Sequence, residues 1–328
     1  MIKIGIDTGG TFTDLVVLDD ETGEMRTVKV PSTPEEPALA PLQAVNESGA
    51  PPAAVDRIVL GTTIATNAGL QKRGATVLYV GTQGFEDVPI IGRIDRKEAY
   101  NPAWPKPDSG VRRRNVFGIA ERVDHKGNVL TPLAQPELAR LGDWIDTKLA
   151  GDPAGDWAVA VNLLFSYVHP DHEAKIGAYL GERFSDLPVS LSSRVSPTWR
   201  EYERGTTTIV DASIKRLMAQ FTARLSDDLR ATGVTAPLTL MKSNGGHADA
   251  ATAADVPVQV FLSGLAGGVI AGRRFARDHL EGNSVTLDMG GTSADVGLII
   301  DGEFGSTTEY EVEWGVPVSA LFIDYTTI

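Results

Sequence analysis

The chain has 328 residues, 42% hydrophobic and 22% charged, with no cysteine and a formal net charge of -13. This is ordinary globular composition with room for about two domains, and the missing thiols exclude disulfide staples, thiolate nucleophiles and cysteine-held metal centres. The acidity opposes nucleic acid and anionic membrane as partners, because both require a cationic face.

The opening MIKIGID lacks the basic start and unbroken apolar stretch of a signal peptide. The most apolar later run, 256–272, is interrupted by Pro257, Gln259 and Ser263, short of the roughly 20 residues a membrane span needs. A soluble, cytoplasmic protein is expected. Residues 3–7, 14–18 and 25–30 are short β-rich runs joined by glycine-containing turns, which predicts an antiparallel meander. Helices are predicted over 35–48, 65–72, 136–149 and 170–184, with apolar strands at 57–60, 76–80, 158–164 and 189–192 between or beside them. That alternation predicts α/β layers. Residues 100–114, rich in Pro, Lys, Arg and Asp, read as a surface loop or substrate-facing flap, and 122–130 as a hairpin turning at Lys126-Gly127. The longest predicted helix, 206–230, sets Ile209, Ile214, Leu217, Phe221, Leu225 and Leu229 at mixed three- and four-residue steps. A further helix over 262–275, with Ser263 as its N-cap, carries Gly264, Ala266, Gly267, Gly268, Ala271 and Gly272. Glycine weakens a helix by up to about 1 kcal/mol per residue, so close crossing by another helix is the expected compensation.

One motif recurs. Asp7-Thr8-Gly9-Gly10-Thr11-Phe12-Thr13-Asp14 and Asp288-Met289-Gly290-Gly291-Thr292-Ser293-Ala294-Asp295 both read D-x-G-G-T-x-x-D, each between apolar runs. After a strand, two glycines let the backbone take φ > 0 and approach a ligand, so that successive N–H groups converge on a phosphate. The threonine hydroxyls add donors. A bare aspartate repels phosphate, so Asp7 and Asp288 are useful there only with Mg²⁺, or water on Mg²⁺, in between. Two such loops predict two related half-structures closing on one polyphosphate.

The order of loop, small-residue connecting helix, strand and second loop resembles the actin, heat-shock chaperone and sugar-kinase ATPase superfamily. The resemblance implies an α/β, actin-like (ribonuclease H-like) ATPase fold with two related half-domains, the second incomplete here. Within that superfamily the chain resembles the hydantoinase A, 5-oxoprolinase and acetone carboxylase family over nearly its whole length. The segments that carry this are IGIDTGGTFTD, GTTIATNAGLQKRG, GFEDVPIIGRIDR, NLLFSYVHPDHE, VSPTWREYERGTTTIVDA, MKSNGG, LSGLAGG and LDMGGTSADV. Leu60 stands where the family pattern has histidine, and Leu265 where it has proline. By this resemblance, 1–195 is the hydantoinase/oxoprolinase N-terminal region with the first phosphate loop. Residues 196–328 then begin the hydantoinase A/oxoprolinase region, with the connecting helix and second phosphate loop, and this region is expected to continue beyond the chain.

The family resemblance implies the ATP-binding subunit of an ATP-dependent cyclic-amide hydrolase for hydantoin, 5-oxoproline or another lactam. The substrate oxygen is phosphorylated before ring opening, with a hydantoinase B-type partner subunit or domain in a hetero-oligomer. Asp7, Asp288, Thr11 and Thr292 would be the catalytic set, the two aspartates orienting Mg²⁺ through water. Thr8, Gly9, Gly10, Thr11, Thr13, Gly290, Gly291 and Thr292 would hold the ATP phosphates. Asp14 and Asp295 bind metal or water, or cap their own loops. The helix start at 262–264 contains no acid, which suits transfer to a substrate oxygen rather than to water. Two alternatives stand: an ATP-dependent ketone carboxylase subunit that phosphorylates bicarbonate or substrate, and a non-catalytic actin-like regulatory ATPase.

Other polar residues have two readings. Arg93, Arg96 and Asn101 are substrate contacts or solvated charges. Asn244, in Asn244-Gly-Gly-His247, lines a cleft or closes a tight turn. The run from Arg200 to Arg204 is catalytic or an ion-pair network at a helix start. His169 and His172 lack a nearby third ligand for a metal, and Trp104, Trp144 and Trp157 are read as packing elements.

Overall fold

The computed structural model describes residues 1–94, 96–279, 283–289, 294–313 and 315–327. Strands β1 (Ile2–Thr8), β2 (Phe12–Asp19) and β3 (Met25–Pro31) form the predicted antiparallel meander. Alternate residues Ile2, Ile4 and Ile6 are buried, followed by Leu15 and Val17 on β2, the period of a strand with one covered face. Helix α1 (Leu39–Glu47) begins later than the 35–48 pattern predicts. Glu36 precedes Pro37, which disfavours helical backbone there, and the Glu36 N–H donates to the Thr33 carbonyl instead.

The chain continues through β4 (Val55–Thr62), α2 (Ile64–Leu70), β5 (Thr76–Thr82), the one-turn α3 (Val88–Ile91) and β6 (Val116–Ile119). Residues 100–112 carry neither helix nor strand, and 113–115 form a single 3-10 turn, so the predicted loop 100–114 is irregular up to its last two residues. The hairpin β7 (Arg122–Val123) and β8 (Val129–Thr131) turns where predicted, with Gly127 at φ 86 and Asp124 accepting the N–H groups of Lys126 and Asn128. Then come α4 (Gln135–Gly151), β9 (Trp157–Asn162), α5 (Asp171–Arg183), β10 (Val189–Leu191), the short α6 (Ser192–Val195) and α7 (Glu201–Ala231). Strands β11 (Leu238–Met241) and β12 (His247–Asp249), helices α8 (Ala250–Asp255) and α9 (Ser263–His279), and the hairpin β13 (Ser284–Met289) and β14 (Ala294–Ile300) follow.

Two compact units result, both discontinuous: 1–67 with 217–308 and 321–328, and 68–216 with 309–320. The first holds a six-stranded sheet ordered β12-β11-β4-β1-β2-β3, in which β1, β4 and β11 are parallel. The second holds a four-stranded parallel sheet ordered β10-β9-β5-β6. Its central strands are nearly continuous in apolar residues, as a sheet covered on both faces requires. Leu78, Val80, Val159 and Val161 pack with Leu141 and Ile145 of α4 and Ile176 and Leu180 of α5. On the opposite face Val77, Tyr79, Ala158 and Ala160 meet Ile209 and Ala212 of α7. Trp144 and Trp157 pack against the first of these clusters. Among the described residues no helix is long and apolar enough to cross a membrane.

One expectation about α9 changes. Its neighbours include β4, β11, β13 and β14, and several of its glycines admit residues of these strands. A methyl group on Gly267 would lie 3.3 Å from Met241 Sδ, and one on Gly272 would collide with Thr286. Ser263 is the first residue inside the helix, and its hydroxyl lies 3.4 Å from both the N–H and the carbonyl of Thr62. It ties the helix to the end of β4.

Candidate functional site: paired aspartate-glycine hairpins

The repeated octapeptide is a repeated structure at its shoulders. On β1 and β2, Asp7 lies opposite Asp14 and Thr8 opposite Thr13; on β13 and β14, Asp288 lies opposite Asp295 and Met289 opposite Ala294. In the first turn the Gly9 N–H donates to the Phe12 carbonyl at 3.0 Å. Neither Gly9 nor Gly10 takes a positive φ, contrary to the reason expected for these glycines. Their smallness is used for space instead. A methyl group on Gly9 would sit 3.3 Å from the Phe12 carbonyl oxygen, whereas one on Gly10 would meet open space, room for a ligand atom. Gly290, Gly291 and Thr292 lie outside the described residues.

The two aspartates meet α9. The Cβ position of Gly264 is 3.2 Å from Asp7 Oδ1, that of Gly61 is 3.3 Å from the same oxygen, and that of Gly268 is 3.8 Å from Asp288 Oδ2. Gly264 and Gly268 are one turn apart on one helix face. Partial desolvation, then the neighbouring charges of Asp288 and Asp14, push the Asp7 carboxyl up to about 6. A cavity of about 250 Å³ beside α9 is bordered by Gly268, Thr286, Asp288 and Asp295.

The remaining residues of the first loop divide by role. Thr11 is exposed. Thr13 is buried, with its hydroxyl 3.1 Å from that of Ser32, which in turn donates to the Gly9 carbonyl at 2.7 Å, so this pair braces the loop from behind. Asp14 accepts from Lys29 Nζ at 2.9 and 3.0 Å. Thr8 is 5% exposed and its hydroxyl has no hydrogen-bond partner among the described residues, an unusual state for a buried polar group.

These features fit a cation-bearing anion. Two crowded carboxylates with one raised proton affinity are relieved by a divalent cation, and the orphaned Thr8 hydroxyl and open space at Gly10 leave room for polar ligand atoms. Among the described residues no group of three or more His, Cys, Asp or Glu could hold a metal alone. A cation here therefore needs oxygens from water or from the ligand.

Other candidates are spread out. Asn244 accepts from the Gly246 N–H at 3.0 Å, and Gly245 has φ 81, so the side chain closes a tight turn after β11. Arg93 forms a two-pronged ion pair with Glu203, and Arg96 is exposed beside it. Asn101 bonds Glu98 locally. His172 is buried, its Nδ1 2.7 Å from Glu121 Oε2. Leu60 is fully buried on β4. Sequence reasoning missed Gly61, and it saw Gly264 and Gly268 only as a small-residue stripe; their four-residue spacing was the available signal.

Fold and site together define a mixed α/β protein with two matched aspartate-glycine hairpins, whose leading acids rest on one small-residue helix. The chain belongs to the hydantoinase/oxoprolinase family: that family's N-terminal region matches residues 3–184, and its hydantoinase/oxoprolinase region matches 204–328. It is similar to the acetophenone carboxylase gamma subunit of Aromatoleum aromaticum, with 31% identity over 97% of this chain and 45% of the relative. It is also similar to caprolactamase subunit alpha of Pseudomonas jessenii, with 31% identity over 90% of this chain and 43% of the relative. The crystal structure of the ATP-dependent caprolactamase from that organism aligns at TM-score 0.81 and 29% identity, over 99% of this chain and 48% of its own. Nucleotide-free acetone carboxylase, from a study of ATP-dependent acetone carboxylation, aligns at TM-score 0.87 and 24% identity over 100% of this chain and 48% of its own, a likeness of fold. The chain thus spans about half the length of the curated relatives it matches.

Proposed function

We propose that this chain is the ATP-binding part of an ATP-dependent cyclic-amide hydrolase, acting with a hydantoinase B-type partner subunit or domain. The observation that carries this reading is the matched register of the two hairpins, with Asp7 and Asp288 on successive turns of one helix face. The sheet order β3-β2-β1-β4-β11, with β2 alone antiparallel, supports an actin-like (ribonuclease H-like) fold. The relatives named as subunits support a hetero-oligomer.

On this reading Asp7 and Asp288 orient Mg²⁺ through water. Gly9, Gly10 and Thr11 hold phosphate on one side, with Thr8 supplying its unused hydroxyl and Thr13 bracing the loop. Gly290, Gly291 and Thr292 are assigned the matching role on the other. Bound ATP would supply the phosphoryl group that, transferred to the amide oxygen with loss of ADP, makes the ring carbon a reactive electrophile; water then opens the C–N bond and phosphate is released by hydrolysis. The protein's part is mainly positioning and charge neutralisation. No acid stands at the start of α9 to aim a water, which favours a substrate oxygen as acceptor. Arg93, Arg96 and Asn244 remain candidate substrate contacts.

A second reading is an ATP-dependent ketone carboxylase subunit, favoured by the 31% identity to the acetophenone carboxylase subunit. Both are tested by phosphate release from the complete complex with 5-oxoproline, hydantoin, caprolactam, or acetone with bicarbonate. Lactam-stimulated release without bicarbonate supports the hydrolase, and bicarbonate-dependent release supports the carboxylase. Asp7→Ala and Asp288→Ala should each abolish Mg²⁺-dependent release; near-normal turnover in either variant defeats the two-loop site.

A further inference from the structure

Three arginines converge in the unit formed by 68–216 and 309–320, on residues that the nucleotide reading does not use. Arg93, Arg200 and Arg204 line one cavity of about 510 Å³, within the usual size of a small-molecule site. Two of them are fixed in advance. Arg93 donates through Nε and Nη2 to Glu203 at 2.8 and 2.7 Å, and Glu203 is 4% exposed. This fork leaves Nη1 of Arg93 with both N–H groups unassigned.

Arg204 is 1% exposed. Its Nε reaches Asn162 Oδ1 and Ser192 Oγ, Nη1 donates to the Thr198 carbonyl and Nη2 to the Leu163 carbonyl. Each terminal nitrogen keeps one further N–H. Arg200 lies over the Trp199 ring at 4.6 Å, and Arg204 over Tyr167 at 5.3 Å. Phe165 completes an aromatic wall. Backbone strain gathers at the same place: Phe165 has φ 56 and Arg200 φ 72, conformations that non-glycine residues hold only when their surroundings enforce them.

We propose that this cavity binds a small carboxylate-bearing molecule, its carboxylate on the Arg93 and Arg204 guanidinium edges and its body against Phe165, Tyr167 and Trp199. Guanidinium forks match the planar carboxylate in pairs of parallel hydrogen bonds. Glu201 shares the lining, and Glu203 and Glu309 pair with Arg93 and Arg200. These three carboxylates match the three guanidiniums in formal charge, so an anion is held by the remaining guanidinium N–H groups rather than by a net positive field, which favours a monoanion over a phosphate dianion. The rings reward an apolar body beside the charged group.

The test is calorimetry on the full chain with three probes: benzoate, its neutral isostere benzamide, and inorganic phosphate. Benzoate should bind saturably, with benzamide and phosphate weaker by about tenfold or more. Arg93→Lys keeps a charge for Glu203 but loses the fork, so it should weaken benzoate about tenfold while the chain still unfolds cooperatively. Trp199→Leu, at a 66% exposed position, should weaken it without affecting folding. Asp7→Ala should leave benzoate affinity intact, which separates this site from the nucleotide reading. Absence of saturable benzoate binding, equal binding of benzamide or phosphate, indifference to both cavity variants, or loss of binding in Asp7→Ala would each overturn the proposal.

Discussion

Asp7 and Asp288 come from opposite ends of the chain, yet rest against Gly264 and Gly268, one turn apart on α9. Two acids on one helix face are costly without a cation between them. The raised value of Asp7, about 6 against 3.8, comes first from desolvation and then from the neighbouring charges of Asp288 and Asp14.

The first prediction concerns pH. A carboxyl whose folded value is raised binds its proton more tightly folded than unfolded, so its effect on stability is least adverse below 3.8. The destabilisation develops as pH rises through the window from 3.8 to about 6 and is fully present above it. Asp7→Asn cannot ionise, so its stability relative to the native chain should rise across that window. Urea unfolding at a series of pH values measures the difference; a difference that stays constant from end to end contradicts the crowding of Asp7.

Gly264 and Gly268 should behave differently when given a methyl group. At Gly264 it would stand 3.2 Å from Asp7 Oδ1, so Gly264→Ala should displace that carboxylate and lower Mg²⁺-dependent turnover. At Gly268 the distance to Asp288 Oδ2 is an ordinary 3.8 Å, and Gly268→Ala should stabilise α9 by up to about 1 kcal/mol. Thermal unfolding and phosphate release on both variants check this. Equal activity in the two variants would show that the contact with Asp7 has no functional consequence.

Thr8→Val separates stability from function. Valine keeps the shape, favours strands and removes a buried hydroxyl without a partner, so folding should gain about 1 kcal/mol. If that hydroxyl serves the nucleotide, Mg²⁺-ATP affinity falls at the same time. A variant that loses stability would mean that the hydroxyl is already satisfied within the protein.

His172→Ala tests the second unit. It strips the partner from Glu121, itself 4% exposed and also accepting from the Thr82 hydroxyl. Leaving that carboxylate unpaired should cost about 3–5 kcal/mol. Phosphate release per folded molecule should be unchanged, because neither residue belongs to the hairpin site. A small loss of stability would show that the pair is readily replaced by water.

Much of the fold was legible because it is written at short range. Alternating burial in β1 and β2, the turn at Gly127 and the apolar runs of β5 and β9 each depend on neighbours within a few residues. The exceptions are instructive. Helix α1 starts late because Pro37 acts on Glu36, a local rule that the apolar pattern overrode. Ser263 looked like a cap, but its hydroxyl found the backbone of Thr62, a partner that no local pattern names.

By itself, the sequence determined that two D-x-G-G-T-x-x-D segments sit between strands, and period-two geometry then sets each pair of aspartates across an antiparallel ladder. Only the tertiary structure decided that Asp7 and Asp288 share one face of α9, that the Thr8 hydroxyl is left over, and that Arg93 and Arg204 meet across one cavity. The physical reason is range. Strand and turn preferences act over a few residues and leave their period in the sequence, whereas these meetings follow from burying whole sheets and helices together, a sum of weak contacts between segments with no shared pattern.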